Sequence, residues 1–303
     1  MSKTVVKDDN NSNKNKRKNY WDLIAINKKY RNWKTILLAE LIGTYLLTLW
    51  IILPSSVGFD SMNNWWGYIW TLMIMKALWV AGFIVFIVYV LRYISVNLNP
   101  AVTIAEIAKG NDKLPIGLAK INIQFAGGIM AGFTALGLAV LTDNNTSNLD
   151  AISPLVRHYD FNNLGSGVWY DNPILSKSYN DFNGGQGIFV MSSMILEFVY
   201  TYALLASVFY WQKKVSHNMR PIVIGLIVWL AVTLGLRTNN IALNPARLIG
   251  PAIAQSVGIN SGILISSSPI NYTDWMWVYL ISELSAASIF AMIELNKRKK
   301  LEI

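Results

Sequence analysis

Two copies of one tetrapeptide carry the chemistry of this sequence: Leu98-Asn99-Pro100-Ala101 and Leu243-Asn244-Pro245-Ala246, the second followed directly by Arg247. Asn is a favoured helix N-cap, Pro suits the first helical position and Ala propagates a helix best. Each Asn therefore starts a helix whose N-terminus carries roughly half an elementary positive charge. Two such ends brought to one point would repel cations, and their side-chain amides would offer two donors to a passing oxygen. A water held by both donors turns its hydrogens outward, which interrupts a proton wire. The stretches before each Asn, Ser95 to Leu98 and Asn239 to Leu243, carry carbonyls that no helix uses. At membrane depth such backbone is tolerated only where it lines a cavity or is buried in protein. Carbonyl acceptors on one wall and apolar side chains opposite suit a file of small neutral hydroxylated molecules.

Other chemistry-bearing residues are few. Glu40 and Glu197 recur in similar surroundings, Ala39-Glu40-Leu41-Ile42-Gly43-Thr44 and Leu196-Glu197-Phe198-Val199-Tyr200-Thr201, and Glu283 lies in a third apolar stretch. Carboxylates inside apolar spans are costly and normally partnered; a proton relay and a structural acceptor both fit the pattern at this point. The chain has no cysteine, so disulfides and thiolate metal sites are excluded, and its two histidines, His158 and His217, stand apart. With no His, Cys or paired-carboxylate constellation, an enzyme is not expected, nor a metal site or cofactor.

The elements that position these residues follow from composition. Of 303 residues, 53% are hydrophobic and 14% charged, against about 25% charged in soluble domains. Apolar runs of membrane-spanning length fall near 35–54, 66–91, 115–141, 186–211, 221–237 and 275–295, which specifies a multi-pass membrane protein. Two shorter segments, about 98–109 and 241–256, cannot cross a core of about 30 Å at about 1.5 Å per residue. The segments between spans alternate in charge. Asp60 lies in 55–65, and Asp143, Asp150, Asp160, Asp171 and Asp181 dominate 142–185. Arg92, Lys109, Lys113 and Lys120 fall between spans two and three, Lys213, Lys214 and Arg220 between four and five, and Lys297 to Lys300 follow the last span. The positive-inside rule then puts both termini in the cytoplasm. The formal net charge of +9 is accounted for by these flanks, so nucleic acid is not an expected partner. Residues 1–34 read as a disordered basic tail beside anionic lipid with no secretory signal, 35–295 as the membrane domain, and 296–303 as a basic tail. Within the domain, 35–141 and 186–295 are two copies of one repeat joined by an outer loop, 142–185. Three spans per copy is odd, so the copies are inverted and the short segments enter from opposite faces.

On these residues the chain resembles the aquaporin, or major intrinsic protein, family. The resemblance rests on Asn99-Pro100-Ala101-Val102-Thr103, on Asn244-Pro245-Ala246-Arg247 with Gly250-Pro251, and on the Glu40 motif, and it covers roughly 35–295. It implies an all-α membrane fold of six transmembrane helices and two re-entrant half-helices, a homotetramer with one pore per subunit, and structural roles for Glu40 and Glu197 as acceptors from half-helix backbone. It also implies a narrow filter at Arg247, Ile241, Trp79 and Val232. Trp79 lies 13 residues before Arg92, about 20 Å along a helix, which brings it to the level of Arg247 about 5 Å outward from the midplane. Some positions depart from the family pattern: Asn97 replaces the His before the first motif, Leu248 the Asp that follows the Arg in glycerol channels, and Glu283 the Pro of the sixth span. Trp79 and Ile241 form an apolar wall for a carbon backbone, so the expected function is passive passage of glycerol and water across the plasma membrane, with ions and protons excluded. A water-selective pore is the alternative, favoured by the bulk of Val232 and Ile241. An ion-coupled secondary transporter would instead give saturable, gradient-dependent flux.

Overall fold

The computed structural model describes residues 32–56, 66–141, 185–216, 218–238, 241–261 and 273–301. The 1–31 part of the basic head, the outer loop at 142–184, His158, His217 and Asn239-Asn240 lie outside them. The described residues form eight helices: α1 (Trp33–Ser56), α2 (Trp66–Leu91), α3 (Pro100–Lys109), α4 (Leu114–Leu141), α5 (Gly185–Lys214), α6 (Arg220–Thr238), α7 (Pro245–Asn260) and α8 (Thr273–Leu301). Six are long, and α3 and α7 are the short segments beginning at the two Pro residues. The last helix runs on to Leu301, through the basic residues expected as a tail, helped by a Glu294–Lys297 ion pair of 2.8 Å.

Packing repeats by halves. α1 lies against α4, and α5 against α8; α2 pairs with α6 between the halves. The short helices are exchanged: α7 packs on α4 of the first half, and α3 on α8 of the second. These exchanges need small residues. A Cβ on Gly128 would stand 2.1 Å from the Ala246 carbonyl oxygen, and one on Gly250 would stand 2.0 Å from that of Gly128, so α4 and α7 touch backbone to backbone. At the equivalent crossing Ala287 of α8 is packed with Ala101 and Ala105 of α3, all fully buried. Large side chains such as Leu38, Phe86, Leu118, Ile195, Leu226 and Met292 are instead exposed on the outside, the inverse of a soluble protein and the pattern lipid demands.

Candidate pore motif and filter

Both short helices start where the sequence places a cap. Asn99 is extended at φ −154°, and its Oδ1 accepts from the Ala101 N–H at 2.9 Å; Pro100 follows at the first helical position. Asn244 Oδ1 accepts from the N–H of Ala246 at 3.0 Å and of Arg247 at 3.4 Å. The residue before each cap, Leu98 at φ 50° and Leu243 at φ 59°, occupies the left-handed region, which costs about 1–3 kcal/mol in a non-glycine residue and persists only where the surroundings enforce it.

The enforcement is reciprocal. Asn99 Nδ2 donates to the Leu243 carbonyl at 2.6 Å, and Asn244 Nδ2 donates to the Leu98 carbonyl at 2.8 Å. The left-handed turn of each Leu directs its carbonyl toward the other half, and the two helix N-termini meet head to head. Each amide has a second N–H beyond the one so used.

The buried carboxylates secure the non-helical segments leading into these turns. Glu40 accepts from the N–H of Asn97 at 3.0 Å and of Leu98 at 2.7 Å, from Gln124 Nε2 at 2.8 Å, and from the Ser95 hydroxyl. Glu197 accepts from the N–H of Leu243 at 2.6 Å and of Ala242 at 3.2 Å. Both are fully buried. They satisfy backbone donors that no helix or sheet would pair, and multiple N–H donors are what a buried carboxylate needs.

Gln124 was not singled out from the sequence, yet it joins Glu40 to the first half-helix by donating also to Thr103 Oγ1 at 2.9 Å. Of the two amides in this apolar run, Asn122 and Gln124, the one four residues before Gly128 is the signal that would have found it. Asn97 Nδ2 donates to Asp112 at 3.0 Å and to Thr103 at 3.3 Å. Asp112 in turn pairs with Lys120 Nζ at 2.7 Å. Lys120, counted above among the inner-loop cations, thus lies within α4 and is 4% exposed; an ion partner two residues before the helix compensates its burial.

Of the four expected filter residues, three come together. Arg247 Nη1 donates to the carbonyls of Ile241 and Ala242, both at 2.8 Å, which holds the guanidinium across the non-helical segment that precedes its own helix. Ile241 and Val232 share one apolar cluster with Ala77, Leu204, Val208 and Val228. Trp79 is tied to α1: its ring stacks on Trp50 at 4.0 Å and 9°, and the two indoles exchange N–H···O=C bonds of 3.0 and 3.2 Å. It is 41% exposed, with its N–H engaged, so it presents an apolar ring and no free donor.

Comparison with known proteins agrees with this architecture. The family described as "Major intrinsic protein" matches residues 27–293. The chain is 26% identical over 261 residues to "Aquaporin NIP2-1" of Arabidopsis thaliana, covering 85% of this chain and 73% of that one. It is 25% identical over 236 residues to "Aquaporin-5" of Botryotinia fuckeliana, covering 75% and 38% of the two chains. Its fold is similar to the X-ray structure of the aquaglyceroporin from Plasmodium falciparum, with a TM-score of 0.57 and 16% identity over 86% of this chain and 95% of that one.

Proposed function

The chain belongs to the major intrinsic protein family of multi-pass membrane channels for water and small solutes, and we propose that its permeants are glycerol and water and that it excludes ions and protons. The observation that carries this reading is the pairing of Arg247, locked by the Ile241 and Ala242 carbonyls, with the apolar cluster of Ile241 and Val232. A charge at this depth costs about 2.5–3.5 kcal/mol on insertion scales and normally faces water. A fixed fork of donors beside apolar walls matches a polyol, whose hydroxyls need partners while its carbons need none. Trp79, with one ring face on Trp50, is a proposed further wall.

Beyond the filter, the paired Asn99 and Asn244 amides at the meeting of two positive helix ends form the proposed barrier to cations. Their unused N–H groups would bind the oxygen of each passing molecule and orient it. Glu40 and Glu197 act as structural anchors, since their oxygens are taken up by backbone donors. We place the channel in the plasma membrane as a homotetramer, with both termini cytoplasmic.

A water-selective pore is the second reading, favoured by the size of Val232 and Ile241, which are 9% and 2% exposed. Stopped-flow light scattering on proteoliposomes, under separate osmotic gradients of an impermeant solute and of glycerol, distinguishes the two. The expected result is water and glycerol flux both several-fold above protein-free vesicles. Fast water flux with glycerol flux at the vesicle background would establish the water-selective pore.

A further inference from the structure

We propose that the Asp112–Lys120 ion pair is a positioning device for conduction: through Asn97 it aligns the unbonded carbonyls that lead into the first asparagine motif. The device starts from a local sequence signal. Gly110 adopts φ 75°, which ends α3 on a left-handed residue. The chain turns back there, and the N–H groups of Asn111 and Asp112 donate to the Glu106 carbonyl at 3.0 and 3.3 Å. Asp112 is thereby held two residues before α4, and its two oxygens accept from Lys120 Nζ at 3.0 and 2.7 Å. The Asp112 and Lys120 side chains are 18% and 6% exposed. Asp112 Oδ2 also accepts from Asn97 Nδ2 at 3.0 Å, and Thr103 Oγ1 accepts from the same nitrogen at 3.3 Å. The N–H of Asn97 is bound by Glu40 at 3.0 Å, so this residue is fixed at both backbone and side chain. An ion pair so withdrawn from water is weak evidence for stability, since replacing both partners by apolar residues is often neutral. What the pair does supply is an oriented acceptor for Asn97.

The internal repeat supplies an independent argument. Asn97 and Ala242 are equivalent positions, each two residues before its capping Asn. Both entry segments are held, by different means. In the second half Arg247 Nη1 binds the carbonyls of Ile241 and Ala242. In the first half Val102 stands where Arg247 does and has no donor to offer; the segment is clasped instead through the Asn97 side chain. A side-chain clasp leaves the backbone acceptors unused. Among the described residues, no hydrogen bond ends on the carbonyls of Ser95, Val96 or Asn97. The first entry segment thus presents acceptors where the second presents carbonyls already engaged by a guanidinium, and the ion pair holds those acceptors in line.

This inference rests on residues 95–98 bordering the conducting path, and water is the probe because both readings of the permeant conduct it. Water flux per channel and its temperature dependence would be measured in proteoliposomes under an impermeant osmolyte. The proteins compared are the wild type, Asn97→Ala, the paired Asp112→Leu with Lys120→Met, and all three substitutions together. The paired variant removes the acceptor without stranding a buried charge, so its melting temperature in detergent should match that of the wild type. Its water flux should fall by roughly twofold to tenfold, the factor that one net hydrogen bond is worth, with a higher activation energy. Asn97→Ala should lose a similar factor, and the triple variant no more, because the ion pair acts through Asn97. A paired variant with wild-type flux and activation energy overturns the proposal. So do losses that multiply in the triple variant, or a paired variant whose flux and melting temperature fall together at unchanged activation energy, the mark of plain structural damage. Wild-type vesicles no faster than protein-free ones remove the channel reading itself, and this proposal with it. Should the paired variant fail to assemble, Asp112→Ala with Lys120→Met, which needs less room, gives the same comparison.

Discussion

Asn244 shows how much one side chain can carry. Its Oδ1 caps α7 through the Ala246 N–H at 3.0 Å, its Nδ2 fastens the Leu98 carbonyl of the other repeat at 2.8 Å, and a second N–H is left over. Asn244→Asp separates these roles, because Asp caps a helix as well as Asn does while placing an oxygen against the Leu98 carbonyl. We expect the variant to lose about 1–3 kcal/mol of stability from the broken buried bond, read as a lower melting temperature in detergent, and to admit potassium in a vesicle flux assay. An unchanged melting temperature with intact cation exclusion would show that the reciprocal bond and the amide donor do not matter. The cap itself was legible in the sequence, because Asn before Pro is a local signal. The left-handed turns at Leu98 and Leu243 were not, since leucine has no intrinsic preference for positive φ and only the carbonyl's partner 144 to 146 residues away enforces it. The same holds for Trp79: its helical position is readable, but its stacking on Trp50 depends on how α1 meets α2.

At the scale of elements, apolar length identified the six long helices among the described residues and the deficit of length identified α3 and α7, because bilayer thickness imposes a yardstick that soluble proteins lack. What local pattern could not give was which glycines are crossings. Gly128 and Gly250 admit no Cβ without meeting backbone at 2.1 and 2.0 Å, whereas nothing lies within 4 Å of a Cβ built on Gly82 or Gly137. A backbone neighbour cannot swing aside as a flexible side chain can. Gly128→Val should therefore separate α4 from α7 and abolish a folded, monodisperse species in fluorescence-detected size exclusion, a penalty beyond the about 1–3 kcal/mol of ordinary overpacking. Gly137→Ala should leave the elution profile intact and the melting temperature equal or higher, given that Ala is favoured over Gly by about 1 kcal/mol in a helix interior. A well-folded Gly128→Val protein would contradict the close crossing. The end of α8 tells a related story: basic composition sets 297–300 apart from the apolar span, but Lys, Arg and Glu are also good helix formers, so the helix continues through them to Leu301.

For the molecule as a whole, the contest between a channel and an ion-coupled transporter turns on whether the two halves can move past each other. Inverted repeats serve both, and in transporters one repeat or bundle rocks against the other around a fixed site. Here the halves are joined at their centre in several ways at once. Asn99 and Asn244 bind across the midline at 2.6 and 2.8 Å, and each half-helix packs on a long helix of the opposite repeat. At the α4–α7 crossing the backbones are in contact. Rocking would break both buried hydrogen bonds and open both crossings together, and interfaces this closely packed do not deform gradually. The path between the asparagines should then be open to both sides at once, and transport should follow the solute gradient alone. In proteoliposomes we expect initial glycerol flux to rise in proportion to its gradient without saturating. It should carry a low activation energy, near that of diffusion in water, and be indifferent to an imposed proton or sodium gradient. The temperature series and the imposed gradients can be run on one preparation by stopped-flow light scattering. Flux that saturates, or that is driven uphill by either ion, would mean that the central bonds break in each cycle and that the molecule alternates its access.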